Sequence, residues 1–141
     1  MARRRRRHTE STFHRAGSLA GVNAAVEKLR RQGEEVLFAA KSALKDGVDL
    51  VIADAKSRCP VRTGKLRDSI KAVDVANGAA YEITADAQNE KGVAYGQFVE
   101  FSPKINKPFM YPAIDANIVR VREGVKQAIQ GALRSSGNHA A

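Results

Sequence analysis

Ten apolar or small residues, Val22, Val26, Leu29, Gly33, Val36, Ala40, Leu44, Val48, Val51 and Ala55, follow one another at intervals of three or four. That spacing draws a single stripe along a helix of period 3.6. Lys28, Arg31, Glu35, Lys45 and Asp49 lie mostly off the stripe. A segment this long must be one long helix, or two helices with a bend near Asp46-Gly47, since a glycine inside a helix costs about 1 kcal/mol relative to alanine. Pro60 sets the end, because proline disfavours helix at the residue before it. At 141 residues the chain makes one ordinary domain, long enough to bury a core but too short for two.

Downstream, residues 60–64 read as a turn bracketed by Pro60 and Gly64, leading into a strand over residues 69–75. Asn77-Gly78 is a strong hairpin signal, because both residues tolerate positive φ. Tyr81, Ile83 and Ala85 alternate with Glu82 and Thr84, as in a strand with one wet face. Residues 86–92 and 102–108 read as loops. Residues 93–101 fit a strand or a short helix, with a helix turn entering a strand favoured. Pro112 suits the first turn of a final helix, and Ile114, Ile118, Val121, Val125, Ala128 and Leu133 continue at helical spacing to about Arg134. The expected fold is α+β: a long N-terminal helix, a small antiparallel sheet built on a hairpin, and a C-terminal helix packed on the sheet. The expected domain spans residues 21–135, between a flexible basic arm at 1–20 and a short flexible tail at 136–141.

Charge is unevenly placed. Residues 1–15 carry Arg3, Arg4, Arg5, Arg6, Arg7 and Arg15 against Glu10, a net of +5, whereas residues 16–141 carry only +4. Five adjacent guanidiniums repel one another, so the arm is expected to be flexible until a polyanion neutralises it. Genomic DNA, contacted through phosphates without regard to sequence, is one expected partner; an acidic protein patch is another. Thr9-Glu10-Ser11-Thr12 follows the arginines where an export signal would be apolar, and no apolar run is long enough to cross a membrane.

Residues that would do chemistry are scarce. His8, His14 and His139 all lie near the termini, away from the lone Cys59. Cys59 has no base at hand and reads as a small buried apolar side chain. There is no Cys-x-x-Cys and no phosphate loop. Asp68 and Glu100 read as surface or ion-pair carboxylates. No cofactor, metal or catalytic residue is expected.

Three segments in order carry a family resemblance. The first is Ala55-Lys56-x-x-Cys59-Pro60-Val61-x-Thr63-Gly64-x-Leu66-Arg67-x-Ser69-Ile70. The second is Tyr95-Gly96-x-Phe98-Val99-Glu100-Phe101. The third is Pro108-Phe109-Met110-Tyr111-Pro112-Ala113. The set resembles the tail-completion, or head–tail joining, proteins of siphophages and lambda-like prophages. That family has a Pro, a Thr-Gly and a Leu-x-x-Ser-Ile, then a Tyr-Ala-x-x-Val-Glu-Phe-Gly-Thr box, then a Pro-Phe-x-x-Pro-Ala. Here Gly96 replaces the alanine, and Ser102-Pro103 replaces the Gly-Thr.

The resemblance implies a non-enzymatic virion protein: one subunit of a ring, usually hexameric, in the neck that joins head to tail. Its neighbours would be a head-side connector or stopper and a tail terminator or tail tube protein. A tail terminator ring is the nearest alternative, and a small basic nucleic-acid-binding protein is the alternative of another class. The motif residues also have physical readings. Thr63-Gly64 makes a tight turn with glycine at positive φ, Leu66 and Ile70 point inward, and Tyr95, Phe98 and Phe101 supply most of the aromatic core. Pro108, Phe109, Met110 and Pro112 form a stiff apolar wedge that packs internally or plugs into a neighbouring subunit. Pro60, Ser69, Val99 and Glu100 complete the set of structural or interface positions.

Overall fold

The structure is a computed structural model that describes residues 2–138, with side chains for residues 22–137. The expectations placed on the side chains of Arg3, Arg4, Arg5, Arg6, Arg7 and Arg15, and on the last three residues, lie outside what is described. The element order is α1 (Ala2–Arg58), α2 (Lys65–Ser69), β1 (Ile70–Asp74), β2 (Tyr81–Ala85), α3 (Gly96–Phe101) and α4 (Met110–Asn138). The α+β class, the long first helix, the two-stranded antiparallel sheet and the packed C-terminal helix all follow the sequence reading.

Helix α1 runs unbroken through Gly47, so of the two alternatives it is one helix. Glycine stands there for packing: a Cβ at position 47 would lie 2.7 Å from Val121 Cγ1 on α4. Helices α1 and α4 are antiparallel. Gly47 meets Val121, while Asp54, further along α1, accepts a 2.7 Å hydrogen bond from Asn117 Nδ2, earlier on α4. Valine is held in one χ1 rotamer on a helix, so it yields little to an added methyl. Gly47→Ala is therefore expected to destabilise the protein by about 1–2 kcal/mol, the overpacking penalty less the gain in helix propensity. In a Val121→Ala background the same change is expected to stabilise by about 1 kcal/mol. Urea denaturation of the four proteins measures both signs.

Asn117 is buried, and its amide also donates to the Ala113 carbonyl at 2.8 Å. The Arg58 guanidinium, 2.9 Å from Asp54, is the main cause that holds the Asp54 carboxyl below its ordinary value of 3.8, with Asn117 adding to it. A carboxyl with a depressed folded-state pKa stabilises the fold above the unfolded value and loses that contribution as pH falls through the lower, folded one. Asp54→Asn should thus be less stable than wild type at pH 7, and the gap should close below about pH 4. Thermal melts across that range test this.

The hairpin pairs Ile70 with Ala85, Ala72 with Ile83 and Asp74 with Tyr81. Asn77 (φ 52°) and Gly78 (φ 86°) form its two-residue turn, closed by Ala79 N–H to the Ala76 carbonyl at 3.1 Å. Asp74 Oδ1 braces the turn by accepting from the Gly78 amide at 2.8 Å. One hydrophobic cluster joins Val51 and Ala55 of α1, and Cys59 just past its end, to Leu66, Ile70, Ala87, Phe109 and Ala113. Through it the start of α4 and the hairpin share a core.

Three expectations need correction. Ser69 does not begin the strand but ends α2, a one-turn helix too short to show a period of its own. Residues 96–101 are helix with no following strand. Consequently Tyr95 and Val99, four apart, turn inward, while Phe98 and Phe101 lie on the other side and are each 63% exposed. The buried aromatic is Phe109, at 1% exposure. The final helix also continues past Arg134 to Asn138, with Ser136 buried.

Candidate assembly surface

The three motif segments converge. Gly64 adopts φ 83°, the left-handed conformation glycine takes without penalty. Its carbonyl accepts from the Asp68 amide at 2.9 Å, closing the turn of α2. Thr63 Oγ1 accepts a long 3.4 Å contact from the Lys65 amide. Leu66 and Ile70 point into the core, as expected, while Ser69 Oγ donates to the Leu66 carbonyl at 2.7 Å. Cys59 is buried, and burial is the main cause that pushes its thiol pKa up, which suits a packing role.

Gly96, where the resembling family carries alanine, sits against β2. A Cβ there would stand 2.6 Å from the Ala85 carbonyl oxygen. The glycine lets α3 begin directly on the edge of the hairpin.

Glu100 is the residue the sequence reading undervalued. Among the described residues it is neither a free surface carboxylate nor an ion-pair partner. Its Oε2 accepts from the Phe109 and Met110 amides at 2.7 and 2.9 Å, and its Oε1 accepts from the Tyr111 amide at 2.8 Å. These are N–H groups at the start of α4, which no earlier turn of helix can satisfy. A carboxylate there also meets the positive end of the helix dipole. The second and third motif segments are thus physically coupled: one supplies the cap, the other the helix it caps. The wedge resolves in the same way. Phe109 fills the core and Met110 packs against it, so both serve the subunit's own fold. Tyr111 stays exposed with its ring 5.6 Å from that of Phe101.

The first two segments also line an open groove of about 700 Å³. Pro60, Thr63, Gly64 and Leu66 of the first segment and Tyr95, Phe98 and Val99 of the second line it, together with residues 88–91 and Ile105. The loop at 86–92 is tightly built, with Asn89 Oδ1 accepting from the Lys91 and Val93 amides, both at 3.0 Å. Among the described residues no cluster of His, Cys, Asp and Glu is arranged to hold a metal. No described helix is long and apolar enough to cross a membrane.

No curated protein and no solved structure matches the chain. A family model described as "Bacteriophage HK97-gp10, putative tail-component" matches residues 22–101. The match covers more than half of the chain, from the described part of α1 through α3, including the first two motif segments; the Pro108–Ala113 segment lies beyond it. The chain belongs to the HK97-gp10-like family of bacteriophage tail components.

Proposed function

We propose that the protein is a non-enzymatic subunit of a homo-oligomeric ring in the phage neck, completing the tail and joining it to the DNA-filled head. It sits between a head-side connector or stopper and the tail terminator or tube. The observation that carries this reading is the imbalance of apolar side chains. Among the described residues only Phe109 and Ile70 are large and wholly buried, whereas fifteen large hydrophobics are exposed, including Leu29, Leu37, Phe38, Phe98, Phe101 and Tyr111. A subunit with so much uncovered apolar surface is built to be covered by neighbours. Family membership makes those neighbours virion proteins.

Complementation in vitro tests the role. Heads and tails from a lysate lacking this gene should become infectious when the purified full-length protein is added. No gain in titre, with the added protein folded, contradicts the reading.

The arginine arm is assigned to DNA or to an acidic head-side surface. Six copies in a ring would bring thirty guanidiniums from Arg3, Arg4, Arg5, Arg6 and Arg7 to the DNA exit path. Deleting residues 2–8 is expected to leave ring formation intact and to impair DNA retention or head attachment, in a salt-sensitive way. Fully normal particles from the deletion would remove the arm from the account.

A further inference from the structure

The groove between α2 and α3 and an acidic–apolar patch on α1 are complementary, and we infer that the groove of one subunit receives the Glu34–Glu35–Leu37–Phe38 patch of the next copy. The inference rests on the ring reading above and specifies its subunit contact.

The groove has an apolar lining from Leu66, Tyr95, Val99 and Ile105, joined by the exposed ring of Phe98. Its charged lining is mostly basic: Arg62, Lys65 and Lys91 against one acid, Glu90. Among the described residues none of those three cations is in an ion pair, whereas Arg30, Lys45, Arg58, Arg67 and Lys71 all are. Lys104 and Lys107 add charge on the loop that carries Ile105. A DNA backbone would satisfy the cations but gain nothing from the apolar lining. A protein segment that carries both carboxylates and apolar anchors satisfies both.

Such a segment is present on α1. Leu37 and Phe38 are exposed, Phe38 at 77%. Glu34 lies one turn before both, and Glu35 one turn before Phe38, so the four occupy neighbouring positions on one side of the helix. Glu34 and Glu35 are both exposed and, among the described residues, neither is in an ion pair. Arg31, a turn earlier, marks the basic limit of the patch.

A subunit cannot fill its own groove with this patch. Phe38 is twenty residues from the end of α1 at Arg58, a distance of about 30 Å along a straight helix, and the groove begins just past that end at Pro60. Two different, complementary patches separated in this way make a head-to-tail contact, the kind that closes into rings.

Charge exchange in full-length protein, scored by complementation of a gene-deleted phage, tests the contact. Glu34→Lys with Glu35→Lys, and separately Arg62→Glu with Lys65→Glu, are each expected to lower the titre at least about tenfold, because each sets like charges face to face. All four substitutions together are expected to restore most of the loss. All lie on the surface, so thermal melts of the variants should match wild type. In purified particles, Phe38→Cys with Lys65→Cys should yield a cross-linked ladder of this chain. The inference is overturned if the four-fold variant is no better than the worse half, or if either half leaves the titre unchanged. A disulfide from position 65 to a different virion protein would equally overturn it. None of these failures would touch the neck assignment, which the phenotype of the gene deletion tests separately.

Discussion

Phe109→Ala is expected to destabilise the protein by about 3–5 kcal/mol, the usual cost of emptying a buried aromatic site. Phe109 is 1% exposed and shares a cluster with Ala55 of α1, Cys59 just after it, Leu66 of α2, Ile70 of β1 and Ala113 of α4. Its ring, held just ahead of α4, is the largest side chain among them, and several of its neighbours are too small to refill the space. A domain of this size holds only about 5–15 kcal/mol in total, so the midpoint of thermal unfolding should fall by roughly 10–20 °C. Circular dichroism melts measure this directly. Phe98→Ala is the matched control. That ring is 63% exposed, and its removal should leave the isolated subunit's melt nearly unchanged. A Phe109→Ala loss below about 1 kcal/mol would mean that the side chain finds its place in a neighbouring subunit instead.

Glu100→Ala should rank next, at about 2–3 kcal/mol, from losing charge-assisted bonds to the start of a helix. One carboxylate accepts from three successive amides, so no single water restores the arrangement. Glu100→Gln keeps one acceptor oxygen but loses the charge, and it should fall between the two. The damage should be local: amide hydrogen exchange at residues 109–111 should accelerate more than exchange at the hairpin. Equal acceleration throughout would show that Glu100 supports the whole core rather than the start of α4.

Much of this fold is legible in the chain because its periodic signals are long. The stripe from Val22 to Ala55 repeats often enough to fix a helix, and Asn77-Gly78 fixes a turn through its two positive φ values. Gly64 is legible for the same reason. Short elements are not. Helix α2 has five residues and α3 has six, too few for period 3.6 to separate from period 2. Residues 93–101 fit either element, and the helix they form turns Phe98 and Phe101, expected in the core, away from Tyr95 and Val99. Glu100 was illegible for a different reason. Helix caps are sought one or a few residues before a helix, and this one comes from ten residues before Met110. The candidate interface had only half a signal. Glu34-Glu35 beside Leu37-Phe38 is visible in the sequence, but the groove draws its lining from three separate stretches that only the fold brings together.

The central claim is tested most directly by electron microscopy of a lysate from a phage or prophage in which this gene alone is deleted. The account predicts DNA-filled heads and separate tails of normal length, unable to join. Overlong or ragged tails would move the protein to the tail terminator position, and intact infectious particles would contradict a role in the neck altogether.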